Sequence, residues 1–393
     1  MDLKTRAKES NDFIVALRRE LHARPELEHD LPFTESVVVR ELSKLGLDEV
    51  QPGQGKGHGV LATLKGALPG KTLALRADMD ALPIKEETGL PFAATNGNMH
   101  ACGHDAHVAM LLGAAKLLAE SRSELAGAVR FIFQPAEETV LGAVSMIESG
   151  ALENPKVDAV VGLHTGSIWE GATPGQIGWR AGPMMASTST LEIEFEGRGG
   201  HGATPHLTVD PIVMASEAIG QLQTLVSREI SPFEPAVVTI GKIEGGTAHN
   251  IIAGSCKARG TIRAFSPKVD AYLKKRVRET MEGIAATMRG RAAVEIHGAI
   301  AAVVNDKEYA LKMRDAVVEQ LGPEWAYEVE FPTSGSEDFA CYLEKVRGAF
   351  FYHCATFGDE RDYPHHNARF DINESVLWTG TGAMTAFALS WQK

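Results

Sequence analysis

Apolar and polar positions along the chain follow two different periods, and each change of period marks an element. Over 11–24, Phe13, Ile14, Leu17 and Leu21 recur at three- and four-residue spacing before Pro25, the stripe of an amphipathic helix. A second helical stretch, 34–45, stops at Gly46. Short β-rich runs follow at 59–64 and 72–76, then a long helical stretch over 107–119 and further apolar runs over 128–133 and 159–163. Strands alternating with helices in this way predict an α/β domain with a mainly parallel central sheet.

From about residue 187 the rhythm changes. Residues 191–196 alternate apolar and acidic side chains, as a half-exposed strand does. A helix over 211–226, strands over 236–240 and 256–264, a charged helix over 268–288 and a strand over 292–296 complete the order β, α, β, β, α, β. This is the order of a split-βαβ, ferredoxin-like sandwich. The expected organisation is a discontinuous domain, 1–184 with 299–393, interrupted by an inserted α+β domain at 185–298. The returning segment supplies a helix at 308–321, a strand at 349–353 and a final helix at 374–391, which can complete the first sheet.

Length and composition narrow the function. The 393 residues suffice for two or three domains, and 44% hydrophobic with 23% charged residues is ordinary for a globular protein. With 39 Lys and Arg against 51 Asp and Glu, the formal charge is -12, and no basic block interrupts it. Nucleic acid and anionic membrane, which need clustered positive charge, are poor partners for such a chain. Cys102, Cys256, Cys341 and Cys354 lack the close spacing of a disulfide framework or a structural zinc site. The charged start, MDLKTRAKESNDF, has no signal-peptide core, and no window of about 18 residues is apolar enough to span a bilayer. The expectation is a soluble protein of the reducing cytoplasm.

Chemistry concentrates in five segments at or just after predicted strand ends, where α/β sheets place their ligands. RADMDALP sets Asp78 and Asp80 on one side of an extended chain. HACGHDAH packs three His, one Cys and one Asp into eight positions, and Gly103 lets Cys102 and His104 converge on one ion. FQPAEET ends a strand in the adjacent carboxylates Glu137 and Glu138. One can bind a metal while the other faces the water on it, a ligand and a general base for hydrolysis. AVVGLH ends at His164, and YPHHNARFD offers His365 and His366. Read singly, these are a turn, a buried thiol beside surface histidines, an acidic loop and structural histidines. Together they supply more borderline-soft ligands than one tetrahedral ion needs, which points to two ions sharing a site.

LHARPELE, ALRADMDALPI, HACGHDAHVAMLLGAA, FQPAEE, GLH, GRGGHGATPH and SGSEDFA occur in this order over nearly the whole chain. With them the sequence resembles the M20 metallopeptidase family, in its aminoacylase/amidohydrolase branch of hippurate and indole-acetyl-amino-acid hydrolases. The resemblance implies a zinc-peptidase-like catalytic domain with an inserted dimerisation or lid domain. Cys102, His104, Glu138, His164 and His366 would be the ligands of two divalent ions (Zn, Mn, Co or Ni), Glu137 the general base, and Asp80 an orienting residue. Asp78 stands where other branches place a metal-binding His, and Ala368 where the pattern after the last ligand usually has Pro. His201 in GRGGHGATPH would stabilise a developing oxyanion, reaching into the partner subunit's site in a homodimer. Asn250 and Arg263 match positions that hold the substrate carboxylate, for which the planar Arg fork is suited. The implied reaction is hydrolysis of an N-acyl-L-amino acid to carboxylate and free amino acid. A dipeptidase or exopeptidase using the same site, and a silent binding protein of the same fold, are the alternatives. His22 and Glu26 are expected to cap and pin the first helix against the sheet. The glycines of 53–59 lack the Lys-Ser/Thr pair and the following helix of a phosphate loop.

Overall fold

The computed structural model describes residues 1–392. They form two compact units, one of 1–184, 304–333 and 337–392, the other of Met185–Val303 with Ser334–Ser336.

The first unit is built on an eight-stranded sheet in the order Glu49–Gln54, Gly59–Lys65, Ala126–Gln134, Leu68–Asp78, Ala159–Gly166, Gly348–Cys354, Ile177–Trp179, Ala326–Glu328. The four strands at its centre, from Ala126–Gln134 to Gly348–Cys354, run parallel, and antiparallel pairings flank them. Every residue of Ala159–Gly166 and of Gly348–Cys354 is buried, which is why these segments read as continuous apolar runs. Helix His104–Glu120 is buried nearly all round its circumference and packs against Asn11–His22 and Leu377–Ser390. It begins three residues before the expected 107, on Gly103 in the left-handed region at φ +86°. Its first turn carries His104, Asp105 and His107, polar residues that break the apolar period, so sequence periodicity starts late there.

Glu26 and His22 differ from expectation in their partners. The Glu26 carboxylate accepts the N–H groups of Phe33 and Thr34 (both 2.9 Å), capping the following helix, Pro32–Leu42. His22 ties the first long helix to the His104–Glu120 helix: its Nδ1 lies 2.7 Å from Asp105 Oδ2 and its Nε2 3.2 Å from Glu86. Gly53 and Gly55, both at positive φ, turn the chain in an antiparallel pair of strands, Glu49–Gln54 and Gly59–Lys65.

The second unit has a four-stranded antiparallel sheet in the order Ala236–Gly245, Ser255–Ala264, Thr188–Glu196, Arg291–Ile300. Numbered along the chain this is 2-3-1-4, the split-βαβ topology. Leu191, Ile193 and Phe195 are buried while Glu192, Glu194 and Glu196 alternate with them outside the core. Helix Pro267–Thr287 meets the sheet through Val269, Leu273, Val277, Met281 and Ala285, a stripe at four-residue spacing.

Candidate metal centre and hydrolytic site

Three parallel strands of the first unit end side by side, at Asp78, Gln134 and Gly166, and the chemistry collects at these ends. Leu68–Asp78 delivers Asp78 and, just beyond, Asp80; Ala126–Gln134 runs into Glu137 and Glu138; Ala159–Gly166 carries His164. The turn before helix His104–Glu120 adds Cys102, and the helix's first residue is His104.

His104 and His164 are each aimed by their second nitrogen. His104 Nδ1 donates to the Asp80 carbonyl (2.8 Å), which leaves Nε2 as the nitrogen that faces the site. That Nε2 is buried with no hydrogen-bond partner, 3.8 Å from Asp78 Oδ2, 3.9 Å from Glu138 Oε1 and 4.0 Å from Glu137 Oε2. His164 Nδ1 donates to the Thr165 carbonyl (2.9 Å), and its Nε2 lies 3.3 Å from Cys102 Sγ. Glu138 Oε1 is likewise buried without a hydrogen-bond partner, 3.6 Å from His366 Nε2. Of the C-terminal doublet, His366 therefore faces the cluster, from a left-handed backbone (φ +63°) whose N–H donates to the Ala101 carbonyl. His365 turns to His164, with ring centroids 5.1 Å apart, and accepts the Ser167 N–H.

Ligand atoms of Cys102, His104 and His164 lie within 4.8 Å of one another, as do those of Cys102, Glu138 and His366. Cys102 belongs to both sets. Two ligand sets meeting at one thiol fit a dinuclear divalent-metal site, and the buried, unpartnered His104 Nε2 and Glu138 Oε1 are the donors such ions would satisfy. Asp78 and His107 also approach His104, but their atoms are engaged elsewhere. Asp78 Oδ2 accepts from Arg76 (2.6 Å) and Oδ1 from His107 Nδ1, and His107 Nε2 accepts the Thr165 N–H (2.8 Å). Asp78 thus braces the site through hydrogen bonds.

Electrostatics point the same way. Burial pushes Glu137 well above the ordinary carboxylate range, and the charges of Glu337 and Asp338 add to the push. Burial raises Glu138 to about 7 against the pull of His104. Burial and Glu138 together hold the Cys102 thiol well above its usual value. His104 runs the other way, because Asp78 and Cys102 outweigh its burial and raise it. A buried, acid-rich cluster of this kind is stabilised by added divalent charge.

Asp80 acts on the carboxylate pair through the backbone: Oδ1 accepts the Glu137 N–H (2.9 Å) and Oδ2 the Glu138 N–H (3.1 Å). Residues that the motifs did not single out complete the surroundings. Arg76, with no side-chain exposure, donates to Gln134 (2.9 Å), Asp78 (2.6 Å), Glu337 (2.9 Å) and Asp338 (2.7 Å). Arg76 and the Glu337-Asp338 pair sit inside quoted motifs, yet nothing in one strand or loop reveals a partner brought in by tertiary folding.

The remaining candidates lie in the second unit. His201 pairs with Ile251 in a two-stranded ladder and is exposed; its Nδ1 accepts the Ala203 N–H (3.0 Å), which leaves the proton on Nε2. Asn250 is exposed, and its carbonyl accepts the Gly202 N–H (2.9 Å), which sets it beside the His201 turn. Arg263, near the end of Ser255–Ala264, donates to the Ser334 carbonyl (3.0 Å).

A thiol, three imidazoles and a carboxylate in two sets sharing Cys102, with a further carboxylate beside them, define the centre of a dinuclear metal-dependent hydrolase. The chain belongs to peptidase family M20/M25/M40, whose model matches residues 74–390. It is 39% identical over 369 residues to the N-acetyl-L-cysteine deacetylase of Bacillus subtilis, covering 93% of this chain and 84% of that protein. Thermostable carboxypeptidase 1 of Saccharolobus solfataricus is 36% identical over 395 residues, or 99% and 98% of the two chains. The crystal structure of a dinuclear metal-binding M20 peptidase from Bacillus subtilis superposes with a TM-score of 0.84 at 34% identity, covering 97% and 98%. The chain is accordingly a metal-dependent hydrolase of amide or peptide bonds in small, acyl-amino-acid-like substrates. No helix among the described residues is long and apolar enough to cross a membrane.

Proposed function

We propose that the enzyme cleaves N-acyl-L-amino acids, with an N-acetyl or aromatic acyl group, to a carboxylate and a free amino acid. The observation that carries this reading is the arrangement at Glu137 and Glu138. Asp80 fixes both N–H groups, Glu138 leaves a bare oxygen toward His366 and His104, and Glu137 stands next to it with its own oxygen 4.0 Å from His104. Cys102, His104, Glu138, His164 and His366 are the ligands in this reading. Bound divalent ions supply acidification of the attacking water, from about 15.7 toward about 7, and polarisation of the scissile carbonyl. Glu137 takes the proton of that water and hands it to the leaving amine. A buried carboxyl already raised in proton affinity suits a group that must both accept and return a proton. Asp80 keeps the pair in register. Asn250 and Arg263 hold the substrate carboxylate, and His201 donates Nε2–H to the oxyanion that develops on the acyl oxygen.

The working unit in this reading is a homodimer formed through the inserted unit, with His201 serving the partner subunit's site. Mixing His201→Ala with Glu137→Ala chains under subunit exchange then restores about a quarter of the wild-type sites, because half of the dimers are mixed and each has one intact site. No recovery among proven heterodimers sinks that arrangement. A carboxypeptidase among the relatives supports a second reading, removal of a C-terminal residue from a short peptide at the same site. One experiment separates the two. Metal-stripped protein is reloaded with Zn, Mn, Co or Ni and assayed by amine release on N-acetyl-amino acids, N-benzoyl-amino acids and dipeptides. Preference for the acyl substrates supports the proposal, preference for dipeptides replaces it, and full turnover without metal contradicts both.

A further inference from the structure

The loop of residues 135–142, which carries Glu137 and Glu138, is held near its start by the Glu28 carbonyl, which accepts the Ala136 N–H (3.0 Å), and by two carboxylates, one of them outside the proposed machinery. Asp80 holds its middle. Its start and its end converge on Asp338: Gln134 Nε2 donates to Asp338 Oδ1 (2.8 Å) and Oδ2 (2.9 Å), and the Ala143 N–H donates to Oδ2 (2.8 Å). Asp338 has no side-chain exposure and is itself fixed by Arg76 Nη2 (2.7 Å). Burial raises Asp338 to about 8, yet all its hydrogen-bond partners are N–H donors, the pattern an ionised carboxylate takes.

The loop needs such anchoring. Ala136 and Val140, on either side of the glutamates, are both left-handed (φ +56° and +59°), a conformation that costs an L-residue energy, a β-branched one most of all. Gly142 closes the loop so tightly that a Cβ there would meet the Pro135 carbonyl oxygen at 1.8 Å. A strained loop persists only where its surroundings over-determine it.

We infer that Asp338 is a positioning residue for the reaction: by clamping both ends of the 135–142 loop it sets where Glu137 and Glu138 stand, and Arg76 sets where Asp338 stands. The inference rests on the roles proposed above for Glu137 and Glu138. Asp338→Asn puts an amide NH2 against groups that are all donors. Gln134→Glu in the same chain reverses the polarity of the pair. The introduced amide can then donate to the introduced carboxylate while its oxygen still accepts the Ala143 N–H, and Arg76 Nη2 keeps Glu337 (2.9 Å).

The test measures kcat and KM on an N-acetyl-amino acid at saturating metal, metal affinity by chelator competition, and thermal unfolding, for wild type, Asp338→Asn and the double variant. The expected result is a fall in kcat of about 10²-fold, the usual cost of an ångström-scale misplacement, with KM within about twofold. Metal affinity is expected to fall by about 10- to 100-fold because Glu138 moves with the loop, and the double variant is expected to recover most of both losses. If Asp338→Asn lowers only the unfolding temperature, with kcat per loaded site and metal affinity unchanged, Asp338 is a structural residue and the inference fails. If the single variant does not fold, the double variant carries the test, and a folded double variant lacking kcat and metal affinity overturns the clamp. Failure of the underlying reading shows separately, as a Glu137→Gln enzyme that keeps its full rate.

Discussion

His104 and His201 both follow a glycine and both belong to the proposed machinery, and they are held in opposite ways. His104 has no side-chain exposure, its Nδ1 is fixed on the Asp80 carbonyl, and three carboxylates stand within 4.0 Å of its Nε2. His201 is exposed, and among the described residues its side chain is fixed through Nδ1, by the Ala203 N–H. The same contrast separates the two proposed sets of residues. The first unit builds its donor cluster in advance from buried groups that fix one another, as metal chemistry in a low-dielectric site requires. The residues assigned to the substrate in the second unit carry one hydrogen bond or an open side chain. Substitutions in the first unit should therefore disturb folding and function together, and those in the second should disturb function alone.

The largest effect is expected behind the ligand helix. Asp105, next to His104 in sequence, accepts from Arg18 Nε (2.9 Å) and pairs with His22 (2.7 Å), all fully buried. Asp105→Ala leaves a buried guanidinium without that partner and is expected to cost about 3–5 kcal/mol in denaturant unfolding. A cost near that of a surface pair, up to about 1 kcal/mol, would break the contrast at its strongest point.

Arg263 gives the opposite profile. Arg263→Ala is expected to lower kcat/KM by about 10²-fold on substrates with a free carboxylate while shifting stability by no more than about 1 kcal/mol. The same substrate with its carboxylate amidated should be poor for wild type and indifferent to the substitution. Equal hydrolysis of acid and amide by wild type removes the assignment.

A smaller effect sharpens the picture of the first unit. Glu138 is raised from 4.5 to about 7 by burial. A carboxyl raised in the folded state contributes stability below its unfolded pKa near 4.5, and that contribution is lost as pH rises through about 7. An ion bound through Glu138 must displace this proton, and one bound through Cys102 the thiol proton as well, so metal affinity should rise with pH up to about 7, by up to about tenfold per unit for each proton displaced. Affinity measured by chelator competition that stays flat over this window would mean that Glu138 is not a ligand.

The sequence made much of this legible, for identifiable reasons. The central strands Ala159–Gly166 and Gly348–Cys354 show as apolar runs because they are buried throughout, and the inserted unit shows its order because Thr188–Glu196 alternates and Pro267–Thr287 repeats its apolar residues every four. The clusters able to hold metal ions stand out in the sequence because their residue types are rare in such density and sit at or just after strand ends. Short pieces such as Ile177–Trp179 and Ala326–Glu328 were not, since three residues carry no period. Arg76, Gln134 and Asp338 were not either. Their roles depend on contacts 58, 204 and 262 residues apart in sequence, which no local pattern encodes.

The central claim is the division of labour between two adjacent carboxylates, and the most direct test compares Glu137→Gln with Glu138→Gln for bound metal and for kcat on an N-acyl-amino acid. The expected result is that Glu137→Gln keeps wild-type metal content and loses about two to four orders of magnitude in rate, whereas Glu138→Gln loses metal. A Glu137→Gln enzyme that releases its metal, or turns over at the wild-type rate, would contradict the account.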